Sequence, residues 1–179
     1  MTESFITLGA GCFWCTEAVY ERVRGVASVE CGYANGDNPQ RPSYEQVCTG
    51  GTGYVEVARI GFDPQVVSLT QLLEIFFTIH DPTSLNRQGA DVGTQYRSGI
   101  YVENDEEREI AEDLIREIDA SGTLGKPVVT EVESLRNYWK AEDYHQNYFA
   151  NNPHQGYCAA VVGPKVEKFR QTFAALIKP

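Results

Sequence analysis

The residues best suited to chemistry are two cysteines three positions apart in Gly11-Cys12-Phe13-Trp14-Cys15-Thr16-Glu17. The apolar run Phe5-Ile6-Thr7-Leu8 and the small residues Gly9-Ala10-Gly11 precede them and a helical pattern follows, so Cys12 falls where a strand turns into a helix. Unpaired amide N–H groups at a helix start favour an anion. A thiol there is expected to have its pKa lowered from the usual value of about 8.5, which makes Cys12 the first nucleophile candidate. The competing reading is a buried cysteine acting as a small hydrophobe. A glycine-flanked turn followed by two aromatics and a second cysteine one helical turn on favours chemistry.

The second candidate is Glu56, which alternates in phase with Ala58, Ile60 and Phe62 on a strand and so shares an apolar face with them. A carboxyl group in that setting is penalised when charged, stays protonated to higher pH and suits a general acid. Two alternatives stand beside this: an ion pair with Arg59 or Arg97, or a strand phase shifted by one so that Glu56 faces water. Tyr33, Tyr44 and Tyr96 could donate phenolic hydrogen bonds to a substrate oxygen, although tyrosines also serve at core edges. Phe13 and Trp14 could wall a small apolar pocket or simply pack under the first helix. Asp91, near Tyr96 and Arg97, is a candidate for substrate binding, but it and Glu142-Asp143 beside His145 belong to polar clusters of a kind that is more often solvated or structural. His80, His145 and His154 do not pair with cysteines at zinc-site spacing, so no metal is expected.

The elements that must hold these residues follow from periodicity. A strand at 5–8 leads to a helix over 13–24, stopped by Gly25, and to a strand at 26–31. Residues 32–53 are rich in Gly, Asn, Pro and Ser and read as a long functional surface loop carrying Tyr33, Tyr44 and Cys48. A strand resumes at 54–62, and Ser68-Leu69-Thr70-Gln71 looks like a capping box opening a helix that stops before Pro82. After an irregular segment at 82–93 come a strand at 96–102, an acidic helix marked by Ile110, Leu114 and Ile118, and an edge strand within 127–132. An aromatic run at 137–151, helical or partly irregular, and an amphipathic helix at 165–177 close the chain. The order strand, helix, strand, strand, helix, strand predicts an α+β fold of the split βαβ, ferredoxin-like kind, a two-layer sandwich with long functional loops and a C-terminal helical extension.

With 179 residues, one catalytic domain over 1–179 is enough. A formal charge of −10 argues against nucleic acid or an anionic membrane as partner and favours neutral or basic ones. The N-terminal residues carry no signal pattern or membrane span, from which a cytoplasmic location is expected. Five cysteines, at 12, 15, 31, 48 and 158, are an odd number and suit redox-active thiols better than a disulfide framework.

Gly11-Cys12-Phe13-Trp14, Gly32-Tyr33, Tyr44 with Val47-Cys48, Thr52-Gly53 with Glu56, Arg87-Gln88-Gly89, Gly93-Thr94-Gln95-Tyr96-Arg97-Ser98, Ala141-Glu142-Asp143 with His145-Gln146, and Gly156-Tyr157-Cys158 occur in this order. Together they span almost the whole chain, which resembles the peptide methionine sulfoxide reductase A family. Cys15 stands where members often have glycine, Tyr54 where histidine is common, and Val92 where some have histidine; a second cysteine near the C-terminus, found in some members, is missing. The resemblance implies reduction of the S-epimer of methionine sulfoxide, free or in proteins, by a monomer without a cofactor, with thioredoxin (or dithiothreitol in the test tube) as reductant. It implies attack by Cys12, Glu56 as acid, Tyr44 and Tyr96 on the sulfoxide oxygen, Phe13 and Trp14 around the S-methyl group, and Cys158 converting the resulting sulfenic acid to a disulfide. Local spacing points instead to Cys15 as the second redox cysteine. The alternative function is a thioredoxin-like thiol–disulfide exchanger using the Cys12-Cys15 pair.

Overall fold

The computed structural model describes residues 3–179. In chain order it forms β1 (Ser4–Gly9), α1 (Phe13–Tyr20), β2 (Val26–Ala34), α2 (Tyr44–Cys48), β3 (Val55–Phe62) and α3 (Leu69–Ile79). Two short strands, β4 (Arg87–Gln88) and β5 (Asp91–Val92), precede a 3-10 turn at Thr94–Tyr96, β6 (Gly99–Val102), α4 (Asp105–Ser121), β7 (Glu131–Ser134) and β8 (Trp139–Lys140). A 3-10 turn at Asp143–His145, α5 (Tyr148–Asn151), a π-helical turn at Cys158–Val162 and α6 (Gly163–Thr172) follow, and a last 3-10 turn spans Ala174–Leu176. No helix among the described residues is long and apolar enough to cross a membrane.

Six strands make one mixed sheet in the order β7-β6-β1-β3-β2-β8, and β4 and β5 form a separate hairpin. The pairs β1–β3, β1–β6 and β2–β3 are antiparallel, while β7 adds parallel to β6 at the edge. With helices beside a mostly antiparallel sheet, the class is α+β, as expected. The period-2 alternation of β3 sorts its side chains. Ala58, Ile60 and Phe62 meet Ile6 and Leu8 of β1, Ala18 and Val19 of α1, Leu72 and Phe76 of α3 and Phe169 of α6 in one apolar cluster. Val55 and Val57 point the other way, against Tyr101.

Several boundaries differ from the sequence reading. Gly32-Tyr33-Ala34 is not loop but the buried end of β2, because these residues go on pairing with Val55, Glu56 and Val57. The rest of that expected loop contains α2, opened by a capping box in which the Ser43 hydroxyl accepts the Gln46 N–H at 3.2 Å. The same Ser-x-x-Gln spacing was legible at Ser68 and was overlooked at Ser43 amid polar neighbours. Tyr96 lies in the 3-10 turn, not in the strand, which starts only at Gly99. The first helix ends at Tyr20 rather than reaching 24, the edge strand sits at Glu131–Ser134, and Trp139 lies on a two-residue strand opposite Tyr33. The closing helix begins earlier than expected, at Gly163, and is preceded by the π-helical turn that carries Cys158.

Candidate active site

The turn between β1 and α1 depends on Gly11, whose φ of +91° puts it in the left-handed region. A β-carbon there would also stand 2.8 Å from the Gln88 side chain, so only glycine fits. Cys12 follows as the N-cap of α1, and its carbonyl accepts the Cys15 N–H at 3.1 Å. The helix start therefore holds the thiol as the sequence implies. Its electrostatics are the reverse of the expectation. Cys12 is only 8% exposed, and burial, contact with the Cys15 thiol and the Glu56 carboxyl push its pKa well up, outweighing the favourable Trp14 N–H. The two thiols influence each other, and the neighbouring Cys12 thiol is the main cause that draws Cys15 down against its own burial.

Glu56 stands on the β3 face that the alternation assigns it. It is 1% exposed and its Oε1 accepts the Phe13 N–H at 3.2 Å, directly after Cys12. Neither arginine considered as a partner reaches it: Arg59 faces Glu103 and Arg97 holds Glu131 at 2.8 Å. Burial, with Asp91 and Cys15 adding to it, pushes Glu56 up to about 8 against the opposing Phe13 N–H. At neutral pH the carboxyl is mostly protonated, by roughly ten to one.

Tyr44 and Tyr96 both have phenols pushed up, first by burial and next by the charge of Glu56, which places both rings in the field of that carboxyl. The Tyr44 ring lies 6.5 Å from Phe13 at 17°, and its backbone N–H donates to Glu142 Oε2 at 2.9 Å. Segment 94–97 ties the two tyrosines together. Thr94 Oγ1 donates to the Gly50 carbonyl at 2.9 Å and Arg97 Nη2 to that of Gly53 at 3.0 Å, so the loop after α2 is fastened to the turn that ends in Tyr96. Tyr33, paired with Glu56 across β2 and β3, also feels that carboxyl, but its hydroxyl is already engaged, donating to Glu142 Oε1 at 2.8 Å. Glu142 thus has the structural role that base rates favour.

Of the two aromatics after Cys12, Phe13 is fully buried against Cys31, Tyr33 and Val47, so it backs the site from beneath. Trp14 is partly exposed. Its Nε1 donates to His145 Nδ1 at 3.1 Å and its ring stacks on Tyr148 at 3.8 Å and 6°. Asp91 accepts the Tyr157 hydroxyl at 2.5 Å, and Tyr157 in turn presents its ring to the edge of Trp14 at 6.0 Å. Cys158, next in sequence, is buried in the same apolar cluster as Cys12 and Cys15, and all five cysteines are free thiols. Among the described residues no group of three or more His, Cys, Asp or Glu side chains is arranged to hold a metal ion.

A family model described as peptide methionine sulfoxide reductase matches residues 4–177. The chain belongs to that family. As an enzyme it is an oxidoreductase of the peptide methionine sulfoxide reductase type. It is 59% identical over 173 residues to the peptide methionine sulfoxide reductase MsrA of Polynucleobacter asymbioticus, covering 97% of this chain and 90% of the relative. Among solved structures it is similar to reduced Mxr1 from Saccharomyces cerevisiae, with a TM-score of 0.77 and 38% identity over 87% of this chain and 89% of that one. Mxr1 in complex with Trx2 aligns with a TM-score of 0.54 and 28% identity over 82% and 84% of the two chains.

The residues that brace this candidate site are not legible in the sequence. His145 reads from sequence as one of a polar cluster, Gln146 as part of a family motif, and Glu17 as an ordinary helix residue. Gln146 binds the Cys31 N–H at 2.9 Å and the Cys31 carbonyl at 3.0 Å, more than a hundred residues away in the chain. No local pattern announces such a contact.

Proposed function

We propose that this chain reduces the S-epimer of methionine sulfoxide, free or in proteins, with Cys12 as nucleophile and Glu56 as general acid. The observation that carries the reading is Glu56 itself, a buried carboxyl bonded to the N–H that follows Cys12 and, among the described residues, without an ion-pair partner, a setting that favours its neutral form. An oxide is a poor leaving group, so the sulfoxide oxygen must be protonated as sulfur is attacked. Tyr44 and Tyr96 hydrogen-bond that oxygen, Trp14 with Phe13 behind it flanks the S-methyl group, and Asp91 lies at the rim with Tyr157. In net terms Cys12–SH and the sulfoxide become Cys12–SOH and methionine, the cysteine sulfur losing the two electrons that the sulfoxide gains. A second thiol then displaces water from the sulfenic acid to form an intramolecular disulfide. Cys158 takes that part by resemblance, and Cys15 is the second reading because it lies one turn from Cys12, with its N–H on the Cys12 carbonyl, in the same apolar cluster. Thioredoxin returns the disulfide to thiols, a role supported by the complex of the related Mxr1 with Trx2. The order β6-β1-β3-β2 with α1 and α3 supports a split βαβ core, within one catalytic domain over 1–179 acting as a monomer.

The test is turnover of the pure S- and R-epimers with dithiothreitol, for wild type and Cys12→Ser. The S-epimer alone should be consumed, and Cys12→Ser should be inactive with an unchanged melting temperature. Retained turnover would remove Cys12 from the mechanism. Insulin reduction without sulfoxide consumption would favour the thiol–disulfide exchanger, a reading that the burial of Cys12 and Cys15 opposes.

A further inference from the structure

Glu17 lies one turn beyond Cys12 on α1 and is 1% exposed, a carboxyl that takes no part in the chemistry above. Leaving a carboxylate buried without partners is costly, so its contacts explain its presence. Its Oε2 accepts the Asn147 N–H at 2.9 Å, and the Tyr148 N–H and the Cys31 thiol are close enough to act on its charge, which burial nonetheless penalises. Asn147 has a φ of +57°, a left-handed conformation that needs support at a non-glycine residue, and the Glu17 carboxyl supplies it on the Asn147 N–H.

The residues held in this way are the ones that touch Trp14. His145, two positions before Asn147, accepts the indole N–H, and Tyr148 lies flat against the indole ring. Gln146 fastens the intervening residue to β2. Segment 145–148 is therefore a strap whose side chains fix the rotamer of Trp14, and Glu17, three residues from Trp14 on the same helix, is the fastening for its second half. We infer that Glu17 is a positioning residue for substrate binding: it clamps the strap that holds the Trp14 indole where the S-methyl group of the sulfoxide must pack. This rests on the proposed reaction for its substrate, and on the geometry alone for the clamp.

The test uses Glu17→Gln, which keeps the shape but gives up one acceptor oxygen for an N–H₂ donor, and Tyr148→Leu, which leaves Glu17 in place and removes the stacking ring. Both are measured beside wild type, and again on a Trp139→Phe background so that Trp14 is the sole tryptophan. KM for a sulfoxide peptide should rise by about fivefold or more in each, while sulfenic acid formation in a single turnover at saturating substrate stays within about twofold. In both, Trp14 fluorescence should become more accessible to acrylamide, a readout that needs no substrate and so stands even if the proposed reaction fails. An unchanged KM with unchanged quenching overturns the clamp. So does a Glu17→Gln protein that only melts lower, or loses its cooperative melt, which would make the residue structural.

Discussion

At the scale of single residues, environment outweighs residue type. Cys12 occupies the helix start that lowers a thiol pKa, yet it is pushed up because one favourable N–H does not offset burial beside Glu56 and a second thiol. Glu56 shows the same rule with useful sign. Its raised folded-state value, about 8 against 4.5, means that the native state holds its proton more tightly than the unfolded chain does. Stability associated with the neutral carboxyl is complete below about 4.5 and is lost as pH rises toward and through 8. Glu56→Gln should therefore stabilise the protein more at pH 8 than at pH 5, by an amount on the order of a few kcal/mol, read from urea titrations at the two pH values. The same substitution should slow sulfenic acid formation by about a hundredfold or more and abolish the wild-type decline in that rate above pH 8. An unchanged single-turnover rate would assign the proton to another group.

At the scale of elements, two turn devices put the candidate residues in place. Gly11→Ala would force a side chain into a positive-φ position and against Gln88. It should cost about 1–3 kcal/mol in urea unfolding and lower activity together with stability, since the displaced residue is next to Cys12. The Ser43 cap acts on Tyr44 directly, because Tyr44 is the first residue of α2. Ser43→Ala should destabilise by about 1 kcal/mol, and its larger effect should be a raised KM for sulfoxide, because a frayed α2 leaves the Tyr44 ring unplaced. A rise in KM in Ser43→Ala that is reversed by Ser43→Asp, another good cap, would tie the effect to the cap rather than to the hydroxyl.

At the scale of the whole molecule, thiols from the two ends of the chain share one apolar cluster, Cys12 at the N-cap of α1 and Cys15 within it, and Cys158 from the π-helical turn before α6. Peptide mapping after one equivalent of sulfoxide without reductant, on wild type and Cys158→Ser, separates the two readings. A Cys12–Cys158 bridge in wild type that is absent from the variant is expected, and a Cys12–Cys15 bridge formed at the wild-type rate in Cys158→Ser would make the local pair the working couple. The charge of −10 acts at longer range. Sulfoxide peptides flanked by lysine should have a higher kcat/KM than those flanked by glutamate at low salt, with the difference shrinking as the ionic strength rises toward 0.5 M.

The sequence by itself determined the class of fold, the strand-to-helix turn at Cys12, the apolar face that carries Glu56 and the family motifs, because each depends on neighbours within one turn or one strand. Period-2 alternation proposes the face that carries Glu56, and the pairing of β3 with β1 and β2 fixes the phase. Tertiary structure decided the rest. Whether Glu56 finds an arginine, whether Cys12 is more or less acidic than a free thiol, and which tyrosine near the carboxyl keeps its hydroxyl free of a protein acceptor are outcomes of packing between distant segments. Tyr33 reads from sequence like Tyr44 and Tyr96, and only the arrival of Glu142 from the far end of the chain removes it from the site. Glu17 has no local signature at all. Its hydrogen-bond partner is an amide 130 positions away, and a buried carboxyl acquires a role only when such a donor is brought to it.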